Sequence, residues 1–268
     1  MKLQQFSRED IPCFLKMAAN EGWVAEAWEV AFLRDTFPGG CYCVRNDGGA
    51  AFAFVTAIKH DRSGWIGNLI VAPAYRGKGI GECLFTAALE ALWSSGVETV
   101  WLTASAMGKR LYEKHGFRSV DRILRWCGAG RAGSDTTRGD GCLDAAVDAL
   151  GWGDSRSQLL RVTVERGNVQ AEFGDFLVTQ PCGPAFQVGP FGAIDPVRAA
   201  RLLAAALGRI PAGSVVWLDA PRGNNLAIQL FQQHGFVRRG TAELMCAGRE
   251  PAYRPEYVYA LASMGSMG

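Results

Sequence analysis

The sequence predicts an α/β (α+β) chain of two tandem domains of one kind, each a mixed, mostly antiparallel sheet flanked by helices. Three observations carry that expectation. The 268 residues are enough for two ordinary domains. Strand-like runs occur both in a hairpin and on either side of a helix, which calls for a sheet with both strand senses. The second half of the chain also repeats the pattern of the first.

In the first half, residues 6–17 and 25–37 carry helical spacing, the second with acids on its exposed side. Residues 41–44 and 51–58 read as strands joined by the turn Asn46-Asp47-Gly48-Gly49. Residues 65–71 form a third strand, followed by the glycine-rich loop YRGKGIG. The helix expected at 82–93 puts Leu84, Ala88 and Leu92 on one face, with Phe85 and Leu89 beside them, a stripe for packing on a sheet. A strand within 97–105, a short helix and a strand at 118–126 complete the half.

VETVWLTAS followed by MGKRLYEKHGFRSV in the first half answers to GSVVWLDAP followed by NNLAIQLFQQHGFVRR in the second. Each copy has a β-branched run with Val-Trp-Leu, a short helix, then His-Gly-Phe. Each has an amphipathic helix upstream, at 82–93 and 196–207. The stretch GAGRAGSDTTRGDG lacks apolar period and reads as a linker. The expected organisation is a first domain at 1–127, the linker at 128–141, a second domain at 142–262 and a tail at 263–268.

Composition excludes several classes. With 28 Lys and Arg against 26 Asp and Glu, there is no basic excess for nucleic acid or a membrane surface. No apolar run approaches a membrane span, and MKLQQFSREDIPCF has no apolar signal core. The eight cysteines are scattered singly through apolar segments, apart from Cys41 and Cys43, and no pair stands at zinc spacing. They read as small core residues of a cytoplasmic protein, with no metal site.

The glycine loop is the informative motif. Gly77, Gly79 and Gly81 lie where a strand turns into a helix, and a helix start leaves N–H groups and partial positive charge unmatched. Arg76 and Lys78 add formal charge, so the ligand should carry phosphate or pyrophosphate. The Walker spacing is absent. The dinucleotide fingerprint fails, because the required last glycine is Glu82 or Leu84. The pattern Arg/Gln-x-x-Gly-x-Gly/Ala is met in full by Arg76-Gly77-Lys78-Gly79-Ile80-Gly81.

That pattern, with NLIVAPAYRGKGIG around it and LYEKHGF downstream, resembles the GNAT superfamily of N-acyltransferases over about residues 3–126. The resemblance implies acetyl-CoA as cosubstrate, bound by Arg76, Gly77, Lys78, Gly79, Ile80 and Gly81 and by the strand end Leu69, Ile70 and Val71. It implies an oxyanion-stabilising N–H near Ile70 or Val71, and Tyr112 as the general acid for the departing thiolate. The acceptor is a primary amine of a small molecule or peptide. Such an amine, with pKa near 10, is only about a thousandth neutral at pH 7, so a base is needed. Glu21, Glu26 and Glu29 lie in the region that covers the acceptor site, where Trp23 and Trp28 could help draw in a cation, and Glu26 is assigned the role. Asn68 points near the acceptor but is no base. His115 is matched by His234 and reads as a turn residue, and His60 and Asp61 read as a solvated loop.

The second half looks eroded. GPFGAIDPVRAARLL stands where the loop should be; Asp195 repels an anion and Pro196 lacks an N–H. Asn225 matches a CoA-side asparagine of the family, which the first half replaces by Ala106, while Phe231 replaces the tyrosine. The expectation is one active domain and one degenerate domain, as a monomer or homodimer. Three alternatives stay open: a non-catalytic acyl-CoA-binding regulatory or scaffold protein, a pyridine-nucleotide oxidoreductase, and an amino-sugar or aminoglycoside acceptor.

Overall fold

A computed structural model describes residues 2–131, 133 and 143–268. The first half runs β1 (Leu3–Gln5), α1 (Ile11–Asn20), α2 (Ala27–Thr36), β2 (Tyr42–Arg45), β3 (Ala51–Lys59), β4 (Ser63–Val71), α3 (Ile80–Ser94), β5 (Thr99–Ala104), α4 (Lys109–Lys114) and β6 (Arg118–Ala129). The second runs α5 (Ala145–Trp152), α6 (Ser157–Arg166), β7 (Asn168–Glu172), β8 (Asp175–Cys182), β9 (Ala185–Gly192), α7 (Pro196–Arg209), β10 (Val215–Pro221), α8 (Asn225–Gln233), β11 (Val237–Gly248) and β12 (Val258–Ala260). The helix expected from residue 6 starts at Ile11. Phe6 is buried as an anchor, and Ser7 with Asp10 forms a capping turn in which the Ser7 N–H donates to the Asp10 carboxylate over 2.9 Å. Most of the expected linker lies outside the described residues, as does Cys142. Gly128 and Ala129 belong to β6, and Gly130 and Arg131 are bonded to Ser214 and Leu207 of the second half.

The two halves share one sheet, in the order β1-β2-β3-β4-β5-β11-β6-β10-β9-β8-β7, with β12 beside β9. They exchange their last long strands. β11 of the second half pairs with β5 of the first, β6 of the first pairs with β10 of the second, and β6 and β11 pair antiparallel at the centre. Both strands are twelve residues long, enough to serve two neighbours each.

α3 buries Leu84, Phe85, Ala88 and Leu92 against the first half of the sheet, as its spacing predicts. Full burial of each large side chain there is worth about 1.5–3 kcal/mol. α7 does the same in the second half through Leu202, Leu203, Ala206 and Leu207. On the other face of β3, Phe6, Phe14 and Phe54 form an aromatic trio with centroids 4.8–5.9 Å apart, Phe14 meeting Phe54 edge-on, and Cys41 and Cys43 pack into the same cluster.

A buried polar latch also joins the halves. Asp154 accepts the N–H groups of Arg62 and Ser63 and the Ser63 hydroxyl, so it caps the β3–β4 turn from the other half. His60 sits in this joint, not in a solvated loop. Burial pushes its pKa down to about 3; Arg156 opposes its charge and Asp154 favours it. Among the described residues, both ring nitrogens of His60 are without a hydrogen-bond partner.

Candidate active site

β4 and β5 run parallel and paired only from Ser63 with Thr99 to Trp65 with Trp101, and then diverge. The fork is widened by a bulge. Gly67 faces Thr56 and Ile70 faces Phe54, so β4 carries one extra residue there. Asn68 takes the left-handed φ of 54° that this demands, and its amide donates to the Thr56 hydroxyl over 3.0 Å. The Ala72 N–H bonds to Phe52 of β3 at 2.8 Å. Alternation along the strand therefore turns the N–H groups of Val71 and Leu69 away from β3, into the fork, and that of Ile70 towards β3. Of the two expected oxyanion donors, Val71 has the required orientation and Ile70 does not.

The glycine loop follows directly. Gly77 and Gly79 have φ of 74° and 76°, and a β-carbon on either would meet nothing within 4 Å. The glycines are there for backbone conformation, and the space before them is open. Gly79 is the N-cap of the fifteen-residue α3 and supplies no side chain to its first N–H groups. The loop residues fit an anion. Arg76 is turned aside: its Nε donates to the Val71 carbonyl over 2.8 Å and its Nη2 pairs with Glu21. It braces the loop against β4 and α1.

The second half shows the contrast. There Asp195 caps α7 and accepts the N–H groups of Val197 and Arg198 at 2.7 and 3.1 Å, filling the positions an anion would need. Its own fork is occupied as well. β9 and β10 pair only at Phe186 with Val216 and Gln187 with Trp217, beyond which β12 lies on β9 and Leu261 bonds to Asp219 of β10 at 2.8 Å.

In front of the first fork is a cleft of about 280 Å³ with walls from both halves. α2 and the stretch before it contribute Trp23, Glu26, Trp28 and Glu29; β4 contributes Asn68 and Leu69; Tyr112 comes from α4. The second half adds Gln180, Cys182 and Gln187, and the stretch 262–267 forms the floor. That floor is the expected tail. Gly265 accepts from the Trp65 indole at 3.2 Å and from the Thr103 hydroxyl at 3.4 Å, and Ser263 and Ser266 are buried.

The titratable walls differ in character. Tyr112 packs against Phe85 at 4.9 Å, burial pushes its pKa up to about 12, and its hydroxyl has no hydrogen-bond partner among the described residues. It is therefore protonated and free to donate. Glu29 is pushed up to about 8, by burial first and then by the neighbouring Glu26. Glu26, the expected base, precedes α2, and one of its oxygens accepts the Gly183 N–H of the β8–β9 turn. Cys182 is pushed up to about 11 by burial, then by Glu26 and Glu29, so its thiol stays protonated. The face of Trp28 is taken by Arg166 at 4.3 Å, which leaves Trp23 at the mouth as the aromatic open to a cation.

His115 and His234 each end a short helix before a glycine at φ of 82° or 78°. Phe117 then bonds back to Tyr112 at 3.1 Å, and Phe236 to Phe231 at 2.9 Å. The repeated His-Gly-Phe is a helix C-cap. It also fixes Tyr112 one turn before the cap. The glutamines and the floor have no motif; only the strand exchange brings them to this cleft.

Two family profiles, each described as an acetyltransferase (GNAT) domain, match residues 38–119 and 145–260. Among solved structures, an acetyltransferase candidate from Pyrococcus horikoshii aligns with TM-score 0.81 at 19% identity, over 98% of this chain and 94% of that one. A GCN5-related N-acetyltransferase from Sphaerobacter thermophilus aligns with TM-score 0.62 at 19% identity, over 94% and 98%. A third structure, from Thermoplasma acidophilum, aligns with TM-score 0.59 at 14% identity, over 93% and 100%. No curated protein matches the chain. These identities speak to the fold, and the profile matches to kinship: the chain belongs to the GNAT acetyltransferase family and carries its domain twice.

Proposed function

We propose that the first half transfers the acetyl group of acetyl-CoA to a primary amine of a small molecule or peptide by direct attack. The observation that carries this reading is the open fork. An uncapped glycine loop stands at one end of it, and a protonated tyrosine and a high-pKa glutamate share the cleft before it. The loop 76–81 holds the pyrophosphate on its N–H groups. Acetyl-CoA supplies an acyl group activated as a thioester. Leu69 and Val71 turn N–H groups towards the negative charge that develops on the acyl oxygen. Tyr112 gives its proton to the leaving sulfur, and Glu29 takes one from the amine, with Glu26 holding the N-terminal turn of α2 against the second half. Cys182, kept as a thiol, argues for direct attack rather than an acyl-cysteine route.

Calorimetric titration with acetyl-CoA tests the first step. One site per chain is expected, since Asp195 and β12 fill the second half's loop and fork. Two sites would overturn the assignment of the second half, and none would sink the reading of the loop. Thiol release with a panel of primary amines tests the second step. Binding without release from any amine would favour the non-catalytic acyl-CoA-binding protein.

A further inference from the structure

Two polar atoms in the cleft wall have nothing to bond to. Gln180 of β8 and Gln187 of β9 face each other as register partners, are 3% and 7% exposed, and both line the cleft. The Nε2 of Gln180 donates to the carbonyls of Gly189 and Ala262. That fixes the amide's orientation, because a flip would set its oxygen against two carbonyl oxygens. Its Oε1 is then an acceptor with no partner among the described residues, and so is the Gln187 Nε2 as a donor. Buried polar groups are rarely left unpaired, and those that are ask for an explanation.

Tyr112 keeps a free hydroxyl for the leaving sulfur, and several other polar side chains of the wall are engaged. Arg125 grips Asp219 with two bonds of 2.8 and 2.7 Å, Ser263 accepts from Ser266 and Met267, Thr103 donates to Gly265, and Ser105 accepts from Gly108. Among the buried polar atoms of the described wall residues, one acceptor and one donor are left over, both on the second half of the chain. An amide group presents their complement: an N–H for Oε1 and a C=O for Nε2.

We propose that Gln180 and Gln187 form an acceptor subsite that holds an amide group of the amine substrate, as in a peptide or an aminoacyl amide. This rests on the acetyl-transfer reading and deepens it: the second half selects the acceptor for the first. A site built to hydrogen-bond its ligand discriminates strongly against an analogue that lacks the bonding group.

Direct binding separates this proposal from its parent. Leucinamide and 3-methylbutylamine, the same amine without the carboxamide, are titrated calorimetrically into the full chain at pH 6, where both are cationic, with and without CoA. Leucinamide is expected to bind at least about 10-fold more tightly. In Gln187→Leu the ratio should fall to within twofold with no loss of melting temperature, since the lost donor had no partner. Gln180→Leu should abolish the preference too; because it removes two backbone bonds, the Gln187 variant decides if it fails to fold. Equal affinities in the wild type, a preference that survives both substitutions, or glucosamine binding in place of leucinamide would each overturn the proposal. Failure of CoA to bind would sink the acetyl-transfer reading alone, because the amide preference is read without it.

Discussion

The backbone of Gly67 lies against the carbonyl oxygen of Ser266, so closely that a β-carbon on Gly67 would come within 2.4 Å of it. The contact closes the floor of the cleft on β4. Gly67→Ala should therefore lift the segment 262–268 and cost about 1–3 kcal/mol by overpacking. Urea denaturation measures the loss. An unchanged midpoint would mean that the segment moves away freely.

Glu29→Gln should lower kcat/KM by about 100-fold or more if the residue is the base. The wild type should show activity rising with pH around a midpoint near 8, and the variant should lack that limb. Stability gives an independent reading. The folded pKa lies above the unfolded value, so the protonated carboxyl's contribution is complete below about 4.5 and lost as pH rises through about 8. The variant should gain melting temperature over the wild type at pH 9 and not at pH 4.

Tyr112→Phe should leave the calorimetric affinity for acetyl-CoA within twofold and reduce kcat about 10-fold or more. The ring contacts with Phe85 and Phe117 are retained, so the fold should be unaffected. Equal turnover in wild type and variant would remove Tyr112 from the acid role.

Arg76→Glu sets a carboxylate beside Glu21 and beside the anion-binding loop. Acetyl-CoA affinity should fall by about 10-fold or more, by repulsion and by release of the brace to Val71. Glu21→Gln, which disturbs only the brace, separates the two causes. Near-wild-type affinity in Arg76→Glu would exclude this loop as the pyrophosphate site.

His60 folds neutral, with its pKa near 3, and so contributes stability that is present above about 6.5 and lost as pH falls towards 3. His60→Gln should flatten the acid limb of the stability profile between those values. Parallel acid limbs in wild type and variant would show that His60 charges without opening the joint.

Some of this was written in local pattern. The helix α3, the loop before it and the paired His-Gly-Phe caps follow from spacing and from glycines that need positive φ, and they appear where the residues place them. Tyr112 comes from the family resemblance that LYEKHGF carries, and the local cap fixes where it lies in the cleft wall. Glu29 could not be separated from Glu26 in the sequence, since the two lie three residues apart on one helix start. What distinguishes them is Gly183, 157 residues from Glu26, whose N–H engages only Glu26. His60 reads as a loop residue until Asp154 and Arg156 arrive from the other half. The amide pair and the cleft floor depend on which strand lies beside which, and a strand's own residues do not encode the identity of its neighbour across a hundred positions.

The exchange of β6 and β11 sets an order on synthesis. When Ala129 leaves the ribosome, β5 still lacks the neighbour that will cover its edge, because that neighbour ends at Gly248. At about 5–20 residues per second, the wait is roughly 6–24 s, long on the scale of folding and of edge-to-edge aggregation. A nascent chain of this design needs a chaperone, or the nearby β6, to occupy that edge in the interval. For the same reason, a fragment stopped after β6 should be insoluble when made alone, and should be rescued when the remainder of the chain is made beside it.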